Sequence, residues 1–311
     1  MRRCVLILTV VVLSACGADA SKGKQSKTTM TGVVSQSCDD LSETSLSGVA
    51  AVTDGGLVRV WSTAGFHEFF DLPAVGDDPM NPPTQGDGSF VESVAVVAGT
   101  CIVFVGMCCE PAIGLTKWFK TPGTQPINLV GHLPSVSPDG TRIALVGNEQ
   151  LIVTPVESPD SEGITIDLSA SDSSTVVDIV WLDGDRLALL VEDDEGARLR
   201  MVVVSKKMLG PGVSINPESG RSTTEVSGIS LIGVSDGGLL LGSVVDGVNV
   251  VDRRSAETLA SVGQEKYSYG SQWMRRTNGH TVFISADGFL SILKDGDDDP
   301  SPIGVKYTWA G

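Results

Sequence analysis

Aromatic side chains are scarce in this chain, at 5% of its residues. Apolar burial must therefore come mostly from Val, Leu and Ile. Histidine is scarcer still: His67, His132 and His280 are the only three. They share no ligand spacing, which argues against a zinc site. No Walker or dinucleotide-binding glycine pattern is present, and no Gly-x-Ser-x-Gly elbow. A Ser-His-Asp triad stays open, because its members need not be neighbours in sequence. Basic residues are few, 22 against 38 acidic ones, for a net charge of −16. The first 30 residues hold Arg2, Arg3, Lys22, Lys24 and Lys27 against Asp19, a balance of +4, which leaves −20 on the remainder. So acidic a body repels phosphates and argues against sequence-independent nucleic-acid binding. Solubility is the plain reading of the acidity.

A membrane-spanning run is missing as well. Cys4 to Leu13 is apolar but too short to cross a bilayer comfortably. It follows the basic pair Arg2-Arg3 and precedes Leu13-Ser14-Ala15-Cys16, small residues ending in cysteine. That is the grammar of a secretory signal. The tetrapeptide resembles the bacterial lipoprotein lipobox at every position. The resemblance implies cleavage before Cys16, so that 1–15 is a signal peptide, and diacylglycerol on the Cys16 thiol. Two or more acyl chains anchor firmly where one does not. Residues 16–37 are rich in Ser, Thr, Lys and Gly and read as a flexible tether. Its Val33-Val34 stretch has the character of an edge strand.

What is abundant is glycine, 36 residues, with 15 prolines and 41% hydrophobic residues. This favours many turns over long helices, with enough apolar content for a sizeable core. One turn signature recurs. Leu133 to Gly147 reads as strand, turn, strand: Pro138 presets φ, Asp139 bonds its own backbone, and Gly140 accepts φ > 0. Asp139-Gly140-Thr141-Arg142-Ile143-Ala144-Leu145 matches Asp183-Gly184-Asp185-Arg186-Leu187-Ala188-Leu189, and Asp236-Gly237 and Asn278-Gly279 carry the same chemistry. Aligned on Gly99, Gly140, Gly184, Gly237 and Gly279, the spacings are 41, 44, 53 and 42 residues. A period of about 40–45 residues belongs to four-stranded propeller blades. The long spacing coincides with Lys206 to Thr224, a glycine- and proline-rich stretch that reads as an inserted loop. Second turns fall at Gly147-Asn148, Asp193 to Gly196, Asp246-Gly247 and Asp287-Gly288.

Upstream, Gly48 to Thr53, Leu57 to Trp61 and Phe66 to Leu72 read as three further strands. The fold class expected is therefore all-β, a β-propeller over 38–311 with six four-stranded blades. Five blades are complete. One lacks an inner strand, to be supplied by 305–310 or by the segment near Val33. A pair of β-sandwiches also uses short strands and glycine turns, but recurrence at blade spacing favours the propeller.

Ser137-Pro138-Asp139-Gly140-Thr141-Arg142-Ile143-Ala144 resembles the repeat of TolB-type, WD40-like propellers. Gly106 to Gly114, followed by Gly131 to Gly140, is similar to actinobacterial secreted propellers with a Cys-Cys turn one blade ahead of the strong repeat. The resemblance covers about residues 95–150. It implies the fold; members of this family serve as scaffolds, binding modules and domains fused to hydrolases.

Chemistry is harder to find. Asp295-x-Asp297-x-Asp299 is similar to the start of an EF-hand loop, but Pro300 stands where Gly is needed and Lys306 where the bidentate Glu belongs. A solvated acidic turn is the better reading, and Glu192 to Glu195 is a hairpin tip. Trp118, Trp181, Trp273 and Trp309 either line a binding face or fill gaps between blades, the commoner role. Once Cys4 leaves with the signal and Cys16 is acylated, Cys38, Cys101, Cys108 and Cys109 remain. An even count in an exported chain points to two disulfides. Adjacent Cys108 and Cys109 would pair only with strain, so each is expected to find a separate partner. One bridge would stay within the blade and the other would clamp the N-terminal segment at Cys38. A reduced set or a Cys-Cys metal site is the alternative.

Two functions follow from these residues. The first is a lipid-anchored, extracytoplasmic propeller of the bacterial cell envelope, held to the membrane through Cys16. It would bind a protein or a cell-surface glycan as a monomer, with no nucleic acid, no metal and no cofactor. Asp139, Gly140, Asp183, Gly184, Asp236 and Gly237 would be structural turn residues, with no catalytic residue assigned. The second is a lyase or glycosidase with its site at the mouth of the axial tunnel. It requires carboxylates, or a His and an Arg, converging at one mouth of the ring.

Overall fold

A computed structural model describes residues 50–52, 57–62, 65–71, 90–97, 100, 102–108, 114–120, 126–169, 175–193, 196–215, 226–245, 248–267, 271–277, 280–285, 289–294, 301–306 and 309–310. Side chains are described, with gaps, between 93 and 264 and at Thr281 and Ser291. The chain divides into two units, Met1–Val34 and Ser35–Gly311, and everything described lies in the second.

The described residues form six antiparallel sheets, here A to F. Sheet A holds β1 (Ala50–Val52), β2 (Leu57–Ser62) and β3 (Gly65–Asp71). Sheet B holds β4 (Phe90–Val96), β5 (Val103–Cys108), β6 (Leu115–Phe119) and β7 (Ile127–Val130). Sheet C holds β8 (His132–Val136), β9 (Arg142–Gly147), β10 (Gln150–Pro155) and β11 (Ile164–Asp167). Sheet D holds β12 (Thr175–Trp181), β13 (Arg186–Asp193), β14 (Gly196–Val203), β15 (Met208–Leu209) and β16 (Val213–Ser214). Sheet E holds β17 (Val226–Ser235), β18 (Gly238–Val245), β19 (Val248–Ser255) and β20 (Ser261–Tyr267). Sheet F holds β21 (Ser271–Thr277), β22 (His280–Ser285), β23 (Phe289–Lys294) and β24 (Ser301–Lys306). The last strand, β25 (Trp309–Ala310), does not join sheet F. It pairs with β1 through Ala51↔Ala310 and Val52↔Trp309 and becomes the first strand of sheet A.

The first strands of successive sheets are neighbours: β4 with β8, β8 with β12, β12 with β17, and β17 with β21. β25 contacts β22 on one side and β4 on the other, which makes the order cyclic. Closure of this kind ties the end of the chain to its first sheet and leaves each blade only short edges.

The core lies between the sheets. In β13, Leu187, Leu189 and Val191 enter an apolar cluster with sheet C, while Ala188 and Leu190 enter one with sheet E. In β9, Ile143 and Leu145 face sheet B, and Ala144 and Val146 face sheet D. Alternate side chains point to opposite faces of a strand, and here both faces are covered. That is why these strands read as unbroken apolar runs rather than alternating ones.

Two sequence readings are corrected. Lys206 to Thr224 is not simply an inserted loop. Met208-Leu209 and Val213-Ser214 both pair with β14 and form a split outer strand of sheet D. The break between them is Gly210-Pro211-Gly212, and Pro211 has no N–H to give to a ladder. Sheet D is thus five-stranded rather than four-stranded. A second feature is new. Each first strand of sheets B to F slips register against its neighbour: Val91/Ser93, His132/Ser135, Val176/Asp178, Ser227/Ser230 and Ser271/Trp273. Bulges of this kind bend a strand and re-aim its side chains.

Candidate functional site

The recurring turns join the first and second strands of sheets C, D and E, so they collect at one end of the ring. In sheet C the turn is closed by its own groups. Gly140 N donates to Ser137 O at 2.8 Å, with Gly140 at φ 70°. Asp139 Oδ1 accepts from Ser137 Oγ at 2.5 Å, Thr141 N at 3.1 Å and Thr141 Oγ1 at 2.9 Å. Ser137 Oγ accepts from Arg142 N at 3.0 Å. The Ser137 hydroxyl and the Thr141 N–H hold the Asp139 carboxyl below its ordinary range.

Sheet D repeats the theme with different partners. Asp183 Oδ1 accepts from Asp185 N at 2.8 Å and Arg186 N at 2.9 Å, and Oδ2 from Arg186 Nε at 2.7 Å. Partial burial pushes the Asp183 carboxyl up, but these N–H donors and the guanidinium outweigh it, and the net direction is down. Asp185 in turn accepts from Ser205 N at 2.8 Å and Ser205 Oγ at 2.6 Å, tying this turn to the one after β14. In sheet E, Asp236 and Gly237 stand at φ 49° and 70°, the paired positive values of a type I′ turn.

The arginines that follow the Asp-Gly turns of sheets C and D each reach the next sheet. The Arg142 guanidinium lies 4.9 Å from the centre of the Trp181 ring in sheet D. Arg186 Nη1 donates to Ala256 O of sheet E at 3.2 Å. Asp178, beside the bulge of β12, accepts from Leu231 N of β17 at 2.9 Å and from Ile179 N at 2.9 Å. Within sheet E the buried Arg254 Nε donates to Asp252 at 2.8 Å, and Ser261 Oγ donates to Asp252 at 2.6 Å. These side chains join strands and sheets.

The seam between sheets B and C is tightly packed. A Cβ on Gly106 would stand 2.6 Å from Pro134 Cδ and from Ser93 Oγ. A Cβ on Gly114 would stand 2.7 Å from the His132 ring. Leu133, buried and followed by Pro134, sits at φ 51°, a value rarely adopted by bulky residues and disfavoured before proline. Ser93 Oγ is buried with no hydrogen-bond partner. A serine nucleophile needs a base within hydrogen-bond reach, and among the described residues Ser93 has none.

Trp118 and Trp181 are 5% and 3% exposed, so both pack between sheets rather than line an open face. Cys108 ends β5; Cys16, Cys38, Cys101 and Cys109 lie outside the described residues, as do Gly99 and Gly279. Among the described residues no group of three or more His, Cys, Asp or Glu is placed to hold a metal ion. Sequence reasoning missed Asp178, Arg142, Arg186 and the Asp252–Arg254 pair. The arginines had a signal, since both follow an Asp-Gly turn by the same offset. Asp178 had none.

A family model described as the lipoprotein LpqB β-propeller domain matches residues 133–247. No curated protein matches the chain. The structure of a nidogen/laminin complex superposes with a TM-score of 0.53 at 8% identity, covering 85% of this chain and 97% of that one. The WD40 β-propeller domain of Doa1 gives a TM-score of 0.49 at 14% identity, over 88% of this chain and 83% of its own. The WD40 domain of Toxoplasma gondii coronin gives 0.47 at 14% identity, over 85% and 68%. With its cyclic order of antiparallel sheets, the chain is an all-β propeller, and its residues 133–247 are similar to a lipoprotein propeller domain.

Proposed function

We propose that this chain is a lipid-anchored, extracytoplasmic propeller of six blades that binds a protein or a cell-surface glycan without catalysing a reaction on it. Residues 1–15 serve as the signal peptide, 16–37 as the tether and 38–311 as the propeller domain. Cys16 carries the lipid, and the chain acts as a monomer in the cell envelope. The match to a lipoprotein propeller domain and the lipobox resemblance support the anchoring.

The observation that carries the binding reading is the use made of the carboxylates. Asp139, Asp178, Asp183, Asp185 and Asp252 each accept hydrogen bonds from their own or the adjoining sheet. An acid–base pair would need carboxyls poised toward a shared substrate site. A rigid ring with side chains committed to its own seams suits display of loops to a partner.

Capture from detergent-solubilised membranes tests this, using the full chain with a C-terminal tag. A protein or glycan recovered intact and in fixed proportion is the expected result. A recovered glycan that the purified chain shortens would instead favour the lyase or glycosidase.

A further inference from the structure

The turn after β14 stands apart from the acidic body. Lys206-Lys207 is the one pair of adjacent lysines in the sequence. Ser205, Lys206, Lys207 and Met208 are all exposed, and Met208, at 47%, is among the few large apolar side chains so open to solvent among the described residues. The tip is rigidly presented. Lys207 N donates to Val204 O at 3.0 Å, Lys207 adopts φ 49°, and Met208 pairs with Val203. Both oxygens of Asp185 hold Ser205 at its base. Ile127 and Val262, also exposed, open the outer strands β7 and β20 at this same end of the ring.

We propose that the Lys206-Lys207-Met208 tip is where the propeller body rests on an anionic lipid surface. The proposal rests on the lipid-anchored reading above. Charge complementarity selects the occupant. Each lysine close to an anionic leaflet is worth about fivefold in partitioning, so two give about thirtyfold. That is too weak to recruit a free protein, but an anchor already holds the body at high effective concentration. Fields from distant parts of the body are screened beyond about 10 Å at 0.1 M salt, and the near carboxylate, Asp185, has both oxygens bound by Ser205. The neighbouring turn of sheet C carries Glu157, Asp160 and Glu162, which bias contact toward the tip of sheet D. Met208 adds apolar contact beside the two cations, the residue mix of interfacial segments.

Acetylation of lysines by an N-hydroxysuccinimide ester, read by mass spectrometry, tests it. The full lipidated chain is placed in vesicles of phosphatidylcholine alone or mixed equally with phosphatidylglycerol. Lys206 and Lys207 should label several-fold more slowly on the mixed vesicles, with the difference lost at about 1 M salt. Half-buried Lys117 on β6 should label equally on both. Equal labelling of Lys206 and Lys207 on the two vesicles overturns the proposal. Failure of the anchor shows separately, as a chain that floats with neither vesicle. The comparison is then repeated with the chain from residue 17 onward, held by an N-terminal hexahistidine on nickel-chelating lipid. In that arm, unchanged labelling of Lys206 and Lys207 overturns the membrane contact, and slowed labelling on the mixed vesicles that is lost at about 1 M salt supports it.

Discussion

Trp181 Nε1 donates a hydrogen bond of 2.9 Å to the carbonyl of Ser135, across the seam between sheets C and D. The Arg142 guanidinium closes the other side, 4.9 Å from the ring centre. One indole therefore joins the first strands of two sheets and is covered by the arginine of the repeat. Trp181→Phe keeps most of the ring but loses the donor. The loss should cost about 1 kcal/mol, because the part-buried acceptor loses this donor. Trp181→Ala should cost about 3–5 kcal/mol. Urea denaturation monitored by circular dichroism measures both. Equal stability of Trp181→Phe and the parent would show that the seam does not depend on this bond.

Gly140 and Gly184 occupy the same place in successive repeats but differ in backbone. Gly140 is at φ 70°, and a Cβ there would meet Val97 Cγ1 at 3.4 Å. Gly184 is outside the left-handed region, and a Cβ there would meet nothing within 4 Å. Gly140→Val should cost more than about 1 kcal/mol. Gly184→Ala should be neutral or stabilise by about 0.4–1 kcal/mol, through lower entropy of the unfolded chain. Melting temperatures that rank the two variants the other way would contradict this assignment.

The contrast shows what the sequence makes legible. Asp139-Gly140 and Asp183-Gly184 announce the turns because aspartate and glycine are selected by local backbone geometry. Leu187 to Val191 announces a strand covered on both faces. The bulges at Val91/Ser93, His132/Ser135 and Val176/Asp178 share no residue signature, because packing between sheets sets them. Met208-Leu209 and Trp309-Ala310 are too short to show a period, so one reads as loop and the other as one of two candidates for closure. Asp178 is equally silent: its partner Leu231 lies 53 residues away.

The turn carboxylates make stability depend on pH. Asp139 and Asp183 are both held below the ordinary carboxylate value. A depressed folded pKa means that the unfolded chain binds protons first as pH falls. The contribution is therefore complete above about pH 4 and is lost on descending through the lower folded values. Asp139→Asn/Asp183→Asn should flatten the fall of the urea midpoint below about pH 4. Parallel curves for parent and variant would show that these bonds do not favour the charged form.

The four thiols left after export should form two disulfides. Cys38 closing onto the blade that holds Cys101, Cys108 and Cys109 would enclose a loop of about seventy residues and stabilise by about 3–5 kcal/mol. Non-reducing peptide mapping of the exported chain should find one bridge within that blade and one to Cys38. Four free thiols, or a Cys108–Cys109 bond, would refute the pairing.

Anchoring is tested most directly at Cys16. Expressed in a bacterial host, the full chain should partition into the detergent phase of a Triton X-114 extract, and Cys16→Ser should move to the aqueous phase. Detergent partitioning unchanged by Cys16→Ser would contradict a lipid-anchored propeller.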